Sequence, residues 1–441
     1  MSAEMLTVFM FSGLLVGLFL GHPLAFVLGG VGVIAGWIAV GPHVFGLMIN
    51  RIYGNAMDNY ILVAVPLFIL MARFLSDSGI TERMFDTLRQ AMSGLRGGLT
   101  LAVILISVLL AATTGIIGAS ITVIGMIALR PMLHYGYSSR LSAGAIVAGG
   151  SLGVLIPPSI MLLIMASYSP LSVGALFAGA MIPGLLLALC YAVFVLIVSY
   201  LNPALGPAVP PEERALINPA RLLFDLFRFV TPPLLLVVGV LGSIFAGIAT
   251  TTEAAAVGTF IAFVMVLVYG RFRLQTLQTS LQETARITAM VLFMVVGATV
   301  FTGVFTAGGG VNVIRDLLIG SGLAPWAIIL LMLAIIFVLG MFLDWIGIVL
   351  LTYPIFLPIL DALGVNLLWF VVLSAVVLQT SFLTPPFGYA LFYLKGVAPR
   401  SLSMQDIYIG ALPFVALIIL VSCLVAAFPA LVLWLPSVML G

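Results

Sequence analysis

The chain has 441 residues, 63% of them hydrophobic and only 7% charged, with a net charge of +2, where an average soluble domain carries about 25% charged residues. That composition excludes a water-soluble globular fold, and the small net charge with a single lysine, Lys395, leaves no basic patch for nucleic acid. Nothing resembling GxxxxGK[ST] is present, so active transport by this chain would draw on a gradient or on another subunit.

Solid apolar runs, at roughly 20 residues per crossing, predict an all-α polytopic membrane protein with about ten transmembrane helices. They lack the polar alternation of a β-barrel. The first run follows no positive n-region and no small-residue cleavage motif, so it reads as a mature span and not a signal peptide. In chain order the spans are Met5 to Leu20, Leu24 to Val40, Ile61 to Leu75, Leu141 to Tyr168 and Ala175 to Leu201, then Phe229 to Ile248, Ala254 to Tyr269, Ile287 to Phe305, Leu367 to Leu394 and Ile409 to Leu433. Cys190 and Cys423 lie inside apolar runs and read as small hydrophobes. His22, His43 and His134 lack any ligand spacing. Thr81 to Leu95, with Met84, Phe85, Leu88 and Met92 at helical spacing, reads as an amphipathic interfacial helix.

Two regions do not fit full spans. Leu99 to Ala112 and Ile116 to Leu129 are separated only by Thr113-Thr114-Gly115, and Trp326 to Leu339 and Gly347 to Leu360 flank Gly340 to Asp344. Each pair is too short for two crossings and too broken for one, which predicts two re-entrant hairpins, 99–129 and 326–360. With both hairpins leaving on the side they entered, 14 of the 16 basic residues fall on one face, and only Arg51 and Arg315 on the other. The positive-inside rule makes the first face cytoplasmic and both termini periplasmic. It leaves Arg51 and Arg315 as outward charges for a soluble docking partner, local pairing of Arg315 with Asp316 being the alternative.

An offset of about 228 residues superimposes Gly30 on Gly258 and Pro157-Pro158 on Pro385-Pro386. Residues 1–201 and 229–441 therefore read as an inverted repeat, joined by a polar cytoplasmic linker, 202–228. Such repeats with interrupted helices point to a secondary transporter with its site near the bilayer midplane.

The spans 141–168 and 367–394 carry the two prolyl pairs near their middles, and proline removes an N–H and disfavours helix before it. Both helices are expected to unwind at about Gly153 to Ile156 and Ser381 to Thr384, and to restart with proline in the first turn. A plain proline kink is the alternative reading. Freed carbonyls suit a hard cation, and restarted helix N-termini suit an anion. The candidate metal ligands are thus Thr113, Gly115, Gly153, Ile156, Pro158, Gly340, Ser381 and Pro386, with Na⁺ as the coupling ion. The candidate substrate contacts are Thr114, Ser120, Ser159, Asp344, Thr380 and Thr384. Asp344 is costly at membrane depth and so a functional candidate, with capping of the second hairpin arm as its other role. Glu253 reads as a helix cap.

The Gly-His-Pro-Leu-Ala start at Gly21, the block Ala148 to Ser159, the block Ala249 to Gly258 and the Gly-Met-Phe-Leu-Asp-Trp tip resemble the large membrane subunit of tripartite ATP-independent periplasmic (TRAP) transporters. The resemblance implies a sodium-coupled importer of organic acids in the inner membrane that works elevator fashion, a transport domain sliding against a scaffold. It also implies a periplasmic substrate-binding protein and a separate small four-helix membrane subunit as partners. The tip Thr-Thr-Gly-Ile-Ile-Gly-Ala-Ser-Ile-Thr departs from the Ser-Gly-Ser type of many members and is similar to a branch associated with 2-oxo and hydroxy acids. A stand-alone ion-coupled organic anion permease is the nearest rival. A channel lacks its ring of charged residues, and an enzyme lacks its His/Asp/Glu cluster.

Overall fold

The computed structural model describes residues 1–114, 117–385 and 388–439, of which 111–114 by backbone alone. Among these residues every regular element is a helix. The first half runs α1 (Ala3–Phe19), α2 (Leu24–Val40), α3 (His43–Ile52) continued by a π-helical turn (Tyr53–Met57), α4 (Tyr60–Asp77), α5 (Ile80–Ala91), α6 (Gly98–Thr114), α7 (Ile117–His134), α8 (Ser139–Ser151) with a 3₁₀ turn (Leu152–Val154), α9 (Ile160–Ser167) and α10 (Val173–Leu201). A short α11 (Pro211–Ala215) lies in the connecting stretch. The second half runs α12 (Pro219–Phe245), α13 (Thr251–Val268), α14 (Leu274–Ala307), α15 (Gly310–Gly320), α16 (Pro325–Gly340), α17 (Trp345–Ala362), α18 (Leu367–Leu383), α19 (Tyr389–Val397), α20 (Met404–Ala427) and α21 (Ala430–Met439). Eight of the described helices are long and apolar enough to cross a membrane, and the chain is a multi-pass, all-α membrane protein.

Helix starts follow capping chemistry. Thr250 and Glu253 form a reciprocal box, the Thr250 N–H donating to Glu253 Oε2 at 2.7 Å and the Glu253 N–H to Thr250 Oγ1 at 3.3 Å, the capping role expected of Glu253. Ser172 and Ser403 accept from the N–H groups of Ala175 and Asp406 in the same way.

Several boundaries differ from the sequence reading. The hairpin arms are not 14-residue runs: α6 and α7 have 17 and 18 residues, α16 and α17 have 16 and 18. Polar ends such as Arg130 to His134 are absorbed into helix, so shortness no longer argues for the hairpins, and the charge asymmetry alone does. The stretch 41–60 is helical through α3, with Arg51 in its last turn. The last span is two helices, α20 and α21, divided at Phe428 and Pro429, since proline cannot continue the α20 ladder.

The helices form two compact units, each drawing on both halves of the sequence. One comprises Met1–Val63, Ile164–Leu171 and Ala285–Leu367. Its core is a close crossing of α2 and α14: a Cβ on Gly297 would sit 2.4 Å from the Ala25 carbonyl oxygen, and one on Gly32 would sit 3.1 Å from the Phe301 backbone. Small residues let membrane helices approach this closely. Phe301 and Phe305 stack, and both meet Phe11 edge-on.

The other unit comprises Ala64–Leu163, Ser172–Thr284 and Leu368–Gly441. Here α8 lies against α20, with Gly144 where a Cβ would come within 2.0 Å of the Gly410 carbonyl oxygen, and Arg140 pairs with Asp406 at 2.9 Å. The linker is pinned to this unit. Gly97 and Ser138 donate to the Gly206 and Leu205 carbonyls at 2.8 and 3.0 Å, and Val209 to Ser93 at 3.0 Å. Arg89 donates to the Tyr135 hydroxyl, which donates to Glu213 at 2.6 Å. That carboxylate holds the Tyr135 phenol above its ordinary range.

Candidate functional site

The first interrupted helix shows what proline does to a buried backbone. The α8 ladder ends at Ser151, tightens into the 3₁₀ turn and is lost before the cis Pro157-Pro158 bond. Helix resumes only at Ile160. The prolines therefore lie inside the break and not in the first turn of α9, which corrects the sequence reading. Ser159 takes the capping place instead: its hydroxyl donates to the Val154 carbonyl and accepts from the Leu162 N–H at 3.3 Å.

The break is sealed from solvent, with Leu152, Val154 and Leu155 at 0% exposure and Ile156 at 3%. Leu155 and Ile156 both donate to the Leu152 carbonyl at 3.0 Å. Among the described residues, no hydrogen bond is donated to the carbonyls of Gly153, Leu155 or Ile156. Buried carbonyls without donors are rare and call for a partner. Oxygen donors of this kind suit a hard cation. Gly153 and Ile156 lie in the stretch that the prolyl pair was expected to unwind.

The first hairpin packs onto this break. Helices α6 and α7 both contact α8 and the 3₁₀ turn, with Gly149 and Gly150 at the crossing: Cβ atoms there would lie 2.3 Å from Ser107 Oγ and from Ile121 Cγ1. The start of α7 also meets α19, where a Cβ on Gly118 would sit 2.5 Å from the Tyr393 ring. One unit thus brings together the hairpin's second arm, the first break and the restarted second helix. Ser120 is buried in the first turn of α7. Thr113 and Thr114 end α6 and are described by backbone alone, and Gly115 lies outside the described residues.

In the second interrupted helix, α18 ends at Leu383 and α19 begins at Tyr389, preceded by Gly388 in a left-handed conformation, φ +42°. Thr380 and Thr384 turn their hydroxyls back onto helix carbonyls, at 2.6 and 2.9 Å. Ser381 is fully buried, and Pro386 lies outside the described residues. Gly340 ends α16, and Asp344 caps α17 by accepting from the Gly347 N–H at 3.3 Å. These two belong to one unit, and Ser381 and Thr384 to the other.

Gln379 escaped the sequence reading. It is 0% exposed, and both its amide atoms are buried without a hydrogen-bond partner among the described residues. A lone amide in the run Val-Val-Leu-Gln-Thr-Ser was the available signal.

Residues 11–431 match the family model of the tripartite ATP-independent periplasmic transporter, DctM component. The C4-dicarboxylate TRAP transporter large permease protein DctM of Pseudomonas aeruginosa is 32% identical over 383 residues, which span 86% of this chain and 87% of that protein. The sialic acid TRAP transporter large permease protein SiaM of Vibrio cholerae is 31% identical over 388 residues, 88% of each chain. Among solved structures, the Alcanivorax borkumensis YdaH transporter aligns with a TM-score of 0.62 at 15% identity, over 92% of this chain and 96% of that one, a likeness of fold alone. The chain belongs to the DctM family of tripartite ATP-independent periplasmic transporters, as a large membrane permease subunit and not an enzyme.

Proposed function

We propose that the chain imports an organic acid anion across the inner membrane, driven by Na⁺, on delivery by a periplasmic substrate-binding protein and together with a small four-helix membrane subunit. The observation that carries the coupling ion is the set of buried carbonyls at Gly153, Leu155 and Ile156, which receive no hydrogen bond among the described residues and pack beneath α6 and α7. A Na⁺ ion there satisfies them and stiffens the break. The substrate carboxylate then meets the N-terminal ends of α7 and α19, where N–H groups and the helix dipole favour negative charge.

The organic acid class is supported by the relatives named for C4-dicarboxylates and sialic acid. A repeat of the two halves is supported by the recurrence of α6 to α9 as α16 to α19 in the same chain order, its inversion by an odd number of crossings in each half, and the elevator motion by the division into two compact units. Periplasmic termini follow from the 14 to 2 distribution of basic residues.

The rival is a permease that needs no delivery protein. Reconstitution of this chain with its small subunit should give uptake only when the cognate binding protein is added to the outer face. Equal uptake by this chain alone in liposomes would replace the tripartite reading with the stand-alone one.

A further inference from the structure

Within the unit formed by Ala64–Leu163, Ser172–Thr284 and Leu368–Gly441, a cavity of about 480 Å³ opens between α5, the turn after α7, the linker and the start of α12. Its charged wall residues balance in sign: Arg83, Arg89 and Arg221 against Asp86, Glu213 and Asp225. Their mutual pairing is loose. Arg89 stands 3.7 Å from Asp86 and Arg221 3.9 Å from Asp225, beyond hydrogen-bonding distance, and Arg83 joins no ion pair among the described residues. The Arg83 guanidinium lies over the Phe229 ring, 5.5 Å from its centroid. Arg89 Nε is buried without a hydrogen-bond partner among the described residues, and an orphan donor of this kind calls for an acceptor.

Apolar surface adjoins the charges. Arg83, Asp86 and Arg89 fall on one face of α5, while Ile80, Met84, Phe85 and Leu88 are buried on the other, the arrangement of a helix lying in a membrane interface. Leu216 is exposed at the rim, and Leu223, Phe224 and Phe227 are exposed on the same turns of α12 that supply Arg221 and Asp225. Large apolar side chains left outward there suit acyl chains. We infer that this cavity holds the headgroup of a phospholipid that carries both a phosphate and a primary ammonium, namely phosphatidylethanolamine. The arginines donate to the phosphate oxygens, and the carboxylates accept from the ammonium N–H groups. Charge balance selects this headgroup. A phosphate without a cation leaves the three carboxylates unanswered and repelling it, and a quaternary ammonium has no N–H to donate. A soluble phosphate ester would satisfy the polar wall but not the apolar rim. The volume lies within the usual range for ligand pockets and admits one headgroup. Neither the transported substrate nor the coupling ion enters this assignment.

The test uses the full chain, purified in detergent and delipidated, and native mass spectrometry with phosphatidylethanolamine, phosphatidylglycerol and phosphatidylcholine of identical acyl chains. Chain-free O-phosphoethanolamine serves as competitor. The expected result is a saturable phosphatidylethanolamine site at least about tenfold tighter than for either other lipid, a spread typical of one charge-assisted contact, and no displacement by O-phosphoethanolamine at equal concentration. Arg83→Gln should weaken phosphatidylethanolamine at least about tenfold. Asp225→Asn should narrow the advantage over phosphatidylglycerol, a change that misfolding does not produce. Phosphatidylglycerol or phosphatidylcholine binding as tightly as phosphatidylethanolamine, displacement by O-phosphoethanolamine, an Arg83→Gln protein indistinguishable from the unmodified one, or an Asp225→Asn protein with the full preference would overturn the assignment.

Discussion

Asp344 shows how one side chain can satisfy two demands. As an N-cap it accepts from the Gly347 N–H and starts α17, and as a carboxylate at a helix junction in a membrane protein it carries a charge that is expensive to keep there. Asparagine caps as well as aspartate but bears no charge. Asp344→Asn is therefore expected to leave the thermal unfolding temperature unchanged while lowering Na⁺-driven uptake at least about tenfold. Asp344→Ala should lose uptake and also about 1 kcal/mol of stability with the cap. Full uptake by the Asn variant, measured with radiolabelled substrate in proteoliposomes, would leave Asp344 as a cap and nothing more. At this scale the sequence was only partly legible. The loss of helix at Gly153 to Ile156 was legible because proline disfavours helix just before it. Gln379 was not singled out, because its significance lies in the amide having no partner among the described residues, and partners are set by tertiary packing.

Between elements, the decisive contacts are glycine crossings. The α8 and α20 backbones meet at Gly144, where even a methyl group would overlap the Gly410 carbonyl oxygen at 2.0 Å. Gly144→Val must push the two helices apart and disturb the Arg140–Asp406 pair one turn away. A loss of about 1–3 kcal/mol or more is expected, as for overpacked cores, read as a lower unfolding temperature of the purified protein. Gly242→Ala in α12, with nothing within 4 Å of the added Cβ, should be neutral or slightly stabilising. Equal effects of the two substitutions would contradict the close-crossing account. Hydropathy located nearly all these helices but not their ends. Amphipathic turns such as His43 to Met57, and the polar first turns of α14, join helices that an apolar window cuts short. The arms of both hairpins were underestimated for the same reason, and which helices cross at glycine cannot be read from composition.

For the molecule as a whole, composition determined the class, and the order of short motifs pointed to the family that the 11–431 match identifies. The proposed orientation rests on the charge asymmetry, and the proposed Na⁺ coupling on the chemistry of the first break. Buried carbonyls that receive no hydrogen bond among the described residues are a liability, which the proposed Na⁺ would relieve. The most direct measurement is uptake by the complete assembly in proteoliposomes at fixed pH and ionic strength, with an inward Na⁺ gradient compared with K⁺ or choline in its place. The account predicts uptake with Na⁺, collapse with either substitute, and a Na⁺ dependence that weakens when Gly153 is replaced by Val; uptake that proceeds unchanged in K⁺ or choline would contradict it.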